Sequence, residues 1–147
     1  MHMTTGEAFV GCLAGNLRAA TRAVTRSYDA ALRPYGMRIT QVAVLAQLRG
    51  REPVGLTALA TVLGAERSGV ARDVALLERN GLVTTTVSAQ DQRVRTVSLT
   101  LAGNTKLRAC APAWRAAQEQ MRLLLGAATV DELVAISSRV ADALTGP

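Results

Sequence analysis

A chain of 147 residues, 49% apolar and 19% charged, has the size and balance of one globular domain with its own core. Only 3% is aromatic, so the core must be built from Ala, Leu and Val, a composition that favours close-packed helices. The net charge of +6 points to a polyanionic partner, while a single histidine, His2, excludes a Ser-His-Asp triad, a histidine metal cluster and a Cys-His pair.

Further classes fall away on motif grounds. No Walker loop and no glycine fingerprint between a strand and a helix is present, so neither an enzyme nor a cofactor-binding protein is expected. No segment has the apolar length of a membrane span and no signal peptide is visible; two cysteines far apart do not make a secreted disulfide framework. The expected location is the cytoplasm. Charge is unevenly spread: seven arginines face two acids through residue 51, whereas residues 57–103 hold five arginines against four acids. Within that second stretch the placement of individual arginines carries more information than their sum.

In chain order, the spacing predicts a first helix from about Glu7 to Leu32, with Phe9, Leu13, Leu17, Ala20, Val24, Tyr28 and Ala31 recurring at threes and fours. Arg18, Arg22 and Arg26 form a second stripe, read first as a solvated face and otherwise as phosphate contacts or counter-charges for an acidic effector. Pro34-Tyr35-Gly36 is a turn. A second helix opens near Thr40 and runs to about Arg49 over Val44, Leu45 and Leu48, and residues 50–55 form a connection.

Leu56, Leu59, Ala60 and Leu63 then mark a short helix that Gly64 can stop with a left-handed backbone. A further helix from about Glu66 to Asn80 packs Val70, Val74 and Leu77 inward and offers Arg67, Ser68, Gly69, Arg72 and Asp73 outward. Asn80-Gly81 ends it. Leu82 to Ser88 is rich in Val and Thr and reads as a strand; Ala89 to Gln92 turns the chain, and Arg93 to Leu99 returns. The period-2 rule puts Arg93, Arg95, Val97 and Leu99 on one face, charged at the tip and apolar at the base.

Thr100 is placed to cap a long helix from about Leu101 to Leu125, whose seam is Leu107, Cys110, Trp114, Ala117, Met121 and Leu124. Pro112 should kink or interrupt it. Gly126 ends it, and Thr129-x-x-Glu132 reads as a capping box for a final helix with the stripe Leu133, Ile136, Val140 and Leu144.

Two helices, a tight turn and a two-stranded hairpin form a DNA-reading device. The run L-x-x-L-A-x-x-L-G, then R-S-x-V-A-R-x-V-x-x-L-E-R-N-G-L-V, then D-Q-R-V-R-x-V-S-L-T-x-x-G resembles MarR-family winged-helix regulators. The likeness is strongest over 38–103 and extends to the flanking helices in pattern and length. It implies one domain over 1–147, mainly α with a small β-wing: a winged helix-turn-helix core at 38–103 flanked by dimerisation helices at 6–33 and 101–145.

The resemblance further implies that Arg67, Ser68, Gly69 and Arg72 lie on a recognition helix in the major groove. Arg93 would enter the minor groove with Asp91 bracing the wing, and Arg95 is a further expected DNA-binding residue. Gly69 and Ala71 stand where relatives often carry Thr or Ser, and Asp73 where Asn is common. The implied partners are a pseudo-palindromic double-stranded operator, a second copy of the chain, and a small phenolic or aromatic-acid effector near Cys12, Tyr28, Arg38 and Gln41. The expected function is a transcriptional regulator, a repressor released by its effector. Two alternatives stay open: a thiol-based oxidative-stress regulator acting through Cys12, and a winged helix used for protein contacts.

Overall fold

The computed structural model describes residues 10–51 and 53–146, so the expected helical residues 7–9, Phe9 among them, lie outside the described part. Helix α1 spans Leu13–Leu32. Its expected start is corrected: Val10 to Cys12 are not helical, and Gly11 has φ +93°, a left-handed backbone that opens the chain before Leu13. One turn of 3-10 helix, Arg33–Tyr35, follows with Pro34 in its first turn.

Asp29 then does a job not visible from periodicity. Its Oδ1 accepts a 2.8 Å hydrogen bond from the Ile39 amide, satisfying a free N–H at the start of α2 (Ile39–Leu48) with a favourably placed negative charge. Gln41, the one buried polar residue among the described hydrophobic core, accepts from the Arg38 amide at 3.1 Å.

The connection expected at 50–55 contains a short strand, β1 (Val54–Gly55). Helix α3 (Leu56–Leu63) ends at Gly64, φ +59°, and α4 (Arg67–Arg79) follows after a three-residue turn. The hairpin strands are β2 (Val83–Val87) and β3 (Arg95–Leu99). All three strands form one antiparallel sheet in the order β1-β3-β2, with Val97 opposite both Val54 and Thr85. Arg93 thus lies in the turn rather than on the returning strand, because Val94 already donates back to Asp91 at 2.9 Å and closes the tip.

Helix α5 spans Leu101–Leu125 and α6 spans Ala127–Leu144. The interruption expected at Pro112 is absent: α5 runs through it, with Pro112 and Arg108, whose carbonyl loses its helical donor, both exposed. The capping box expected at Thr129 is also overturned. Gly126, φ +89°, ends α5 and serves at once as the N-cap of α6, which leaves Thr129 inside the first turn with no capping bond.

The core sits where the helix-turn-helix meets the base of the sheet. Leu32, Leu45, Leu48, Leu59, Leu77, Val83, Val97 and Cys110 are almost wholly removed from water. Each large aliphatic side chain buried in this way contributes about 1.5–3 kcal/mol. Away from that core the picture reverses. The stripe of α1 leaves Leu13, Leu17 and Val24 exposed, and only Cys110 and Ala117 of the α5 seam are buried, with Trp114 and Leu124 open. On α6, Leu133, Val134, Ile136 and Leu144 all face water, and among its described residues only Val130 is buried.

Candidate nucleic-acid interface

The inward face of α4 carries Val70, Val74 and Leu77, and this burial fixes what the helix shows on its other side. Arg67, Ser68 and Arg72 are exposed and Gly69 is half-buried, its vacant side-chain position approached by Arg72 Nη2 at 3.9 Å. Arg67 is steadied from α3, its Nε donating to Thr57 Oγ1 at 3.2 Å. The result is a row of arginine and small polar groups on the convex side of a helix held by its neighbour, the arrangement that enters a major groove.

The wing carries a second basic point. Asp91 Oδ1 accepts both the backbone amide of Arg93, at 3.0 Å, and its guanidinium Nε, at 3.3 Å. One carboxylate oxygen thereby holds the turn and aims the side chain, while Arg93 stays 91% exposed at the end of the hairpin. Arg95 occupies different surroundings. It lies on β3 opposite Val87, beside Glu78 of the recognition helix. Among the described residues only two ion pairs form, Arg93–Asp91 and Arg122–Asp131, so Arg67 and Arg72 have no acidic partner within bridging distance.

The base of the wing is locked by the S-L-T-x-x-G segment. Thr100 Oγ1 accepts the Gly103 amide at 3.0 Å and donates to the Gly81 carbonyl at 2.7 Å, while the Thr100 amide donates to Leu82 at 3.2 Å. The end of the recognition helix, the hairpin base and the start of α5 therefore share one small knot. Gly103 packs directly on the Leu82 backbone, with no room for a side chain.

The four residues expected around an effector are not brought together. Arg38 and Gln41 line a concavity of about 520 Å³ with Arg26, Asp29, Arg33 and Met37. Tyr28 does not line it; its hydroxyl donates to Gln118 Oε1 on α5, and partial burial raises its pKa. Cys12 stands at the other end of α1, sixteen residues from Tyr28, or about 24 Å at 1.5 Å per residue. Its carbonyl accepts from the Asn16 amide and side chain. Cys110 is buried, and desolvation pushes its thiol pKa up, away from the reactive thiolate.

A second concavity, about 610 Å³, was missed by sequence reasoning. It lies between α2 and α5, with Ile39, Val42, Leu107 and Trp114 as apolar walls and Arg49, Arg108 and Arg115 around it. Its residues come from segments some 60 positions apart, and the only available signal was the recurrence of Arg108 and Arg115 beside the seam of α5. Among the described residues no group of three His, Cys, Asp or Glu is placed to hold a metal ion.

A helix-turn-helix joined directly to a hairpin wing defines a winged-helix protein. Residues 37–94 match the sequence profile of the MarR family. A similar solved structure is the Mycobacterium tuberculosis transcriptional regulator MosR in complex with DNA, 28% identical with a TM-score of 0.79, covering 91% of this chain and 96% of that one. Another is the transcriptional repressor CouR of Rhodococcus jostii RHA1 bound to a 23-mer DNA duplex, 25% identical with a TM-score of 0.77 over 96% of this chain and 99% of that one. MarR of Escherichia coli, at 21% identity and a TM-score of 0.68, covers 87% of this chain and 96% of its own and shares the fold. No curated protein matches the chain. Over residues 37–94 the chain is similar to the MarR family.

Proposed function

We propose that this protein is a sequence-specific DNA-binding transcriptional regulator working as a homodimer, a repressor released by a small anionic effector. The observation that carries the reading is the wing tip, where Arg93 is held outward by Asp91, together with an arginine-bearing helix face that has no acidic partner among the described residues. A solvated surface has no need to brace an arginine at the end of a hairpin.

In this reading Arg67, Ser68 and Arg72 meet base edges or phosphates in the major groove, with Gly69 allowing close approach of the backbone. Arg93 enters the adjacent minor groove, where narrow width strengthens the attraction for a guanidinium. Asp91 acts on the wing rather than on DNA. A non-enzymatic cytoplasmic role follows from this assignment, and no described helix is long and apolar enough to cross a membrane.

For the effector, the groove between α2 and α5 suits a small phenolic or aromatic acid better than the concavity at Arg38 and Gln41. It offers Trp114 and aliphatic walls for a ring and three arginines for a carboxylate, with no acid in its lining among the described residues. The concavity at Arg38 contains Asp29, whose carboxylate is already committed to the Ile39 amide.

Selection from random double-stranded DNA tests the reading. The expected product is a site of two inverted half-sites about 10 base pairs apart, matching the ~34–36 Å of one DNA turn. Recovery of no enriched sequence would move the assignment to a protein-interaction module.

A further inference from the structure

The recognition helix and the wing read DNA at two places, so their mutual angle decides whether both can engage at once. Among the described residues, one side chain supplies every side-chain hydrogen bond between α4 and the hairpin: Glu78, in the last turn of α4. Its Oε1 accepts from the Thr85 backbone amide at 2.9 Å and from the Thr85 hydroxyl at 2.6 Å.

The grip falls at a mechanically meaningful point. Thr85 is the middle residue of β2 and lies opposite Val97, which is fully buried. Beyond it the hairpin leaves the core, with Val87 and Val94 about half exposed. Glu78 therefore holds β2 one residue before the last level at which β1 still pairs with the hairpin, Gly55 with Thr96, beyond which it projects toward Arg93. The Thr85 bonds, with Arg95 nearby, keep the Glu78 carboxyl below its usual range and so charged near neutral pH.

We propose that Glu78 is a positioning residue for DNA recognition, fixing the angle of the wing against the recognition helix so that Arg93 reaches its groove while Arg67 and Arg72 are engaged. This rests on the DNA-reading function above. It also opposes a simpler effect, since an acid close to DNA should by itself weaken binding through repulsion of phosphates. The two effects have opposite signs on removal of the carboxylate.

The test is a double-mutant cycle on the selected DNA site, read by fluorescence anisotropy with the full chain: wild type, Glu78→Ala, Arg93→Ala and the pair together. Thermal unfolding of each variant runs alongside, and Thr85→Val serves as the milder lesion if Glu78→Ala fails to fold. Loss of a hydrogen-bonded charged group at the hinge should weaken DNA binding about tenfold. Arg93→Ala should then cost less than a third as much in the Glu78→Ala background as in wild type, with minor-groove protection lost in both. Tighter or unchanged binding by Glu78→Ala, or independent effects that simply multiply, overturns the proposal. An Arg93→Ala protein that binds as wild type does instead overturns wing-mediated DNA reading itself, and this inference with it.

Discussion

A methyl group at Gly103 would collide with the carbonyl oxygen of Leu82 and lie 2.7 Å from Leu99 Cδ1. Backbone cannot swing aside as the end of a flexible side chain can, so the first turn of α5 would have to lift off the hairpin base. Gly103→Ala is expected to lower unfolding stability by about 3 kcal/mol, the upper part of the range for overpacking, in urea titrations followed by helical signal. Thr100→Ala removes the cap on Gly103 and the bond to Gly81 together, and should cost about 1–2 kcal/mol in the same assay. Both residues are legible in the sequence as parts of a motif. Their reason is not, because the atoms they touch belong to Gly81 and Leu82, some 20 positions earlier.

At the scale of elements, α6 is tied to α5 by Arg122, whose two guanidinium nitrogens reach both oxygens of Asp131 at 2.6 and 3.2 Å. That bond lowers the Asp131 pKa and raises that of Arg122. A depressed carboxylate pKa stabilises the folded state above the unfolded value, and the contribution disappears as pH falls through the folded one. Below about pH 4, amide hydrogen exchange in α6 should therefore accelerate relative to α3 and α4; equal protection at pH 3 and pH 7 would contradict this. The pair is exposed, so the effect should be modest and reduced by salt.

The same scale separates what a single sequence reveals from what it hides. Helices α3 and α4 were legible because Leu56, Leu59, Val70, Val74 and Leu77 obey helical spacing and Gly64 punctuates it. Strand β1 was not: two residues, one a glycine, carry no period, and their pairing with Val97 and Thr96 is made only when the chain closes. The start of α6 misled because the T-x-x-E pattern is real while Gly126 lets one helix begin where the other stops. Arg67, Ser68 and Arg72 could be read from their position opposite a buried stripe. The groove holding Arg49, Arg108, Trp114 and Arg115 depends on how α2 meets α5, which no local pattern encodes.

Across the whole molecule, apolar surface is distributed unequally. The winged core buries most of its large apolar side chains, with Val62, Leu76, Val87 and Val94 as exceptions, whereas Leu13 and Leu17 on α1, Leu123 and Leu124 on α5, and Leu133, Val134 and Leu144 on α6 stand between about 40% and 80% exposed. Exposed aliphatic side chains at both ends of the chain suit burial against a second copy, which is also the arrangement that presents two recognition helices to one DNA face. Replacing Leu133 and Ile136 by Asp should convert a particle of twice the 15.5 kDa chain mass to a monomer in sedimentation, without melting the winged core. The same variant should lose most of its affinity for a two-half-site operator. A double variant that stays dimeric would place the interface elsewhere.

Joint reading of DNA by the braced wing arginine and the α4 arginines is tested by binding to the protein's own upstream intergenic DNA and to the selected site across a salt series. Tight binding that weakens as salt rises is expected, with a log–log slope of about −0.9 for each phosphate neutralised. Arg93→Ala should weaken it by about 1–3 kcal/mol and flatten the slope by about one if that arginine contacts a phosphate. Binding that ignores salt, or an Arg93→Ala protein indistinguishable from wild type on both DNAs, would contradict it.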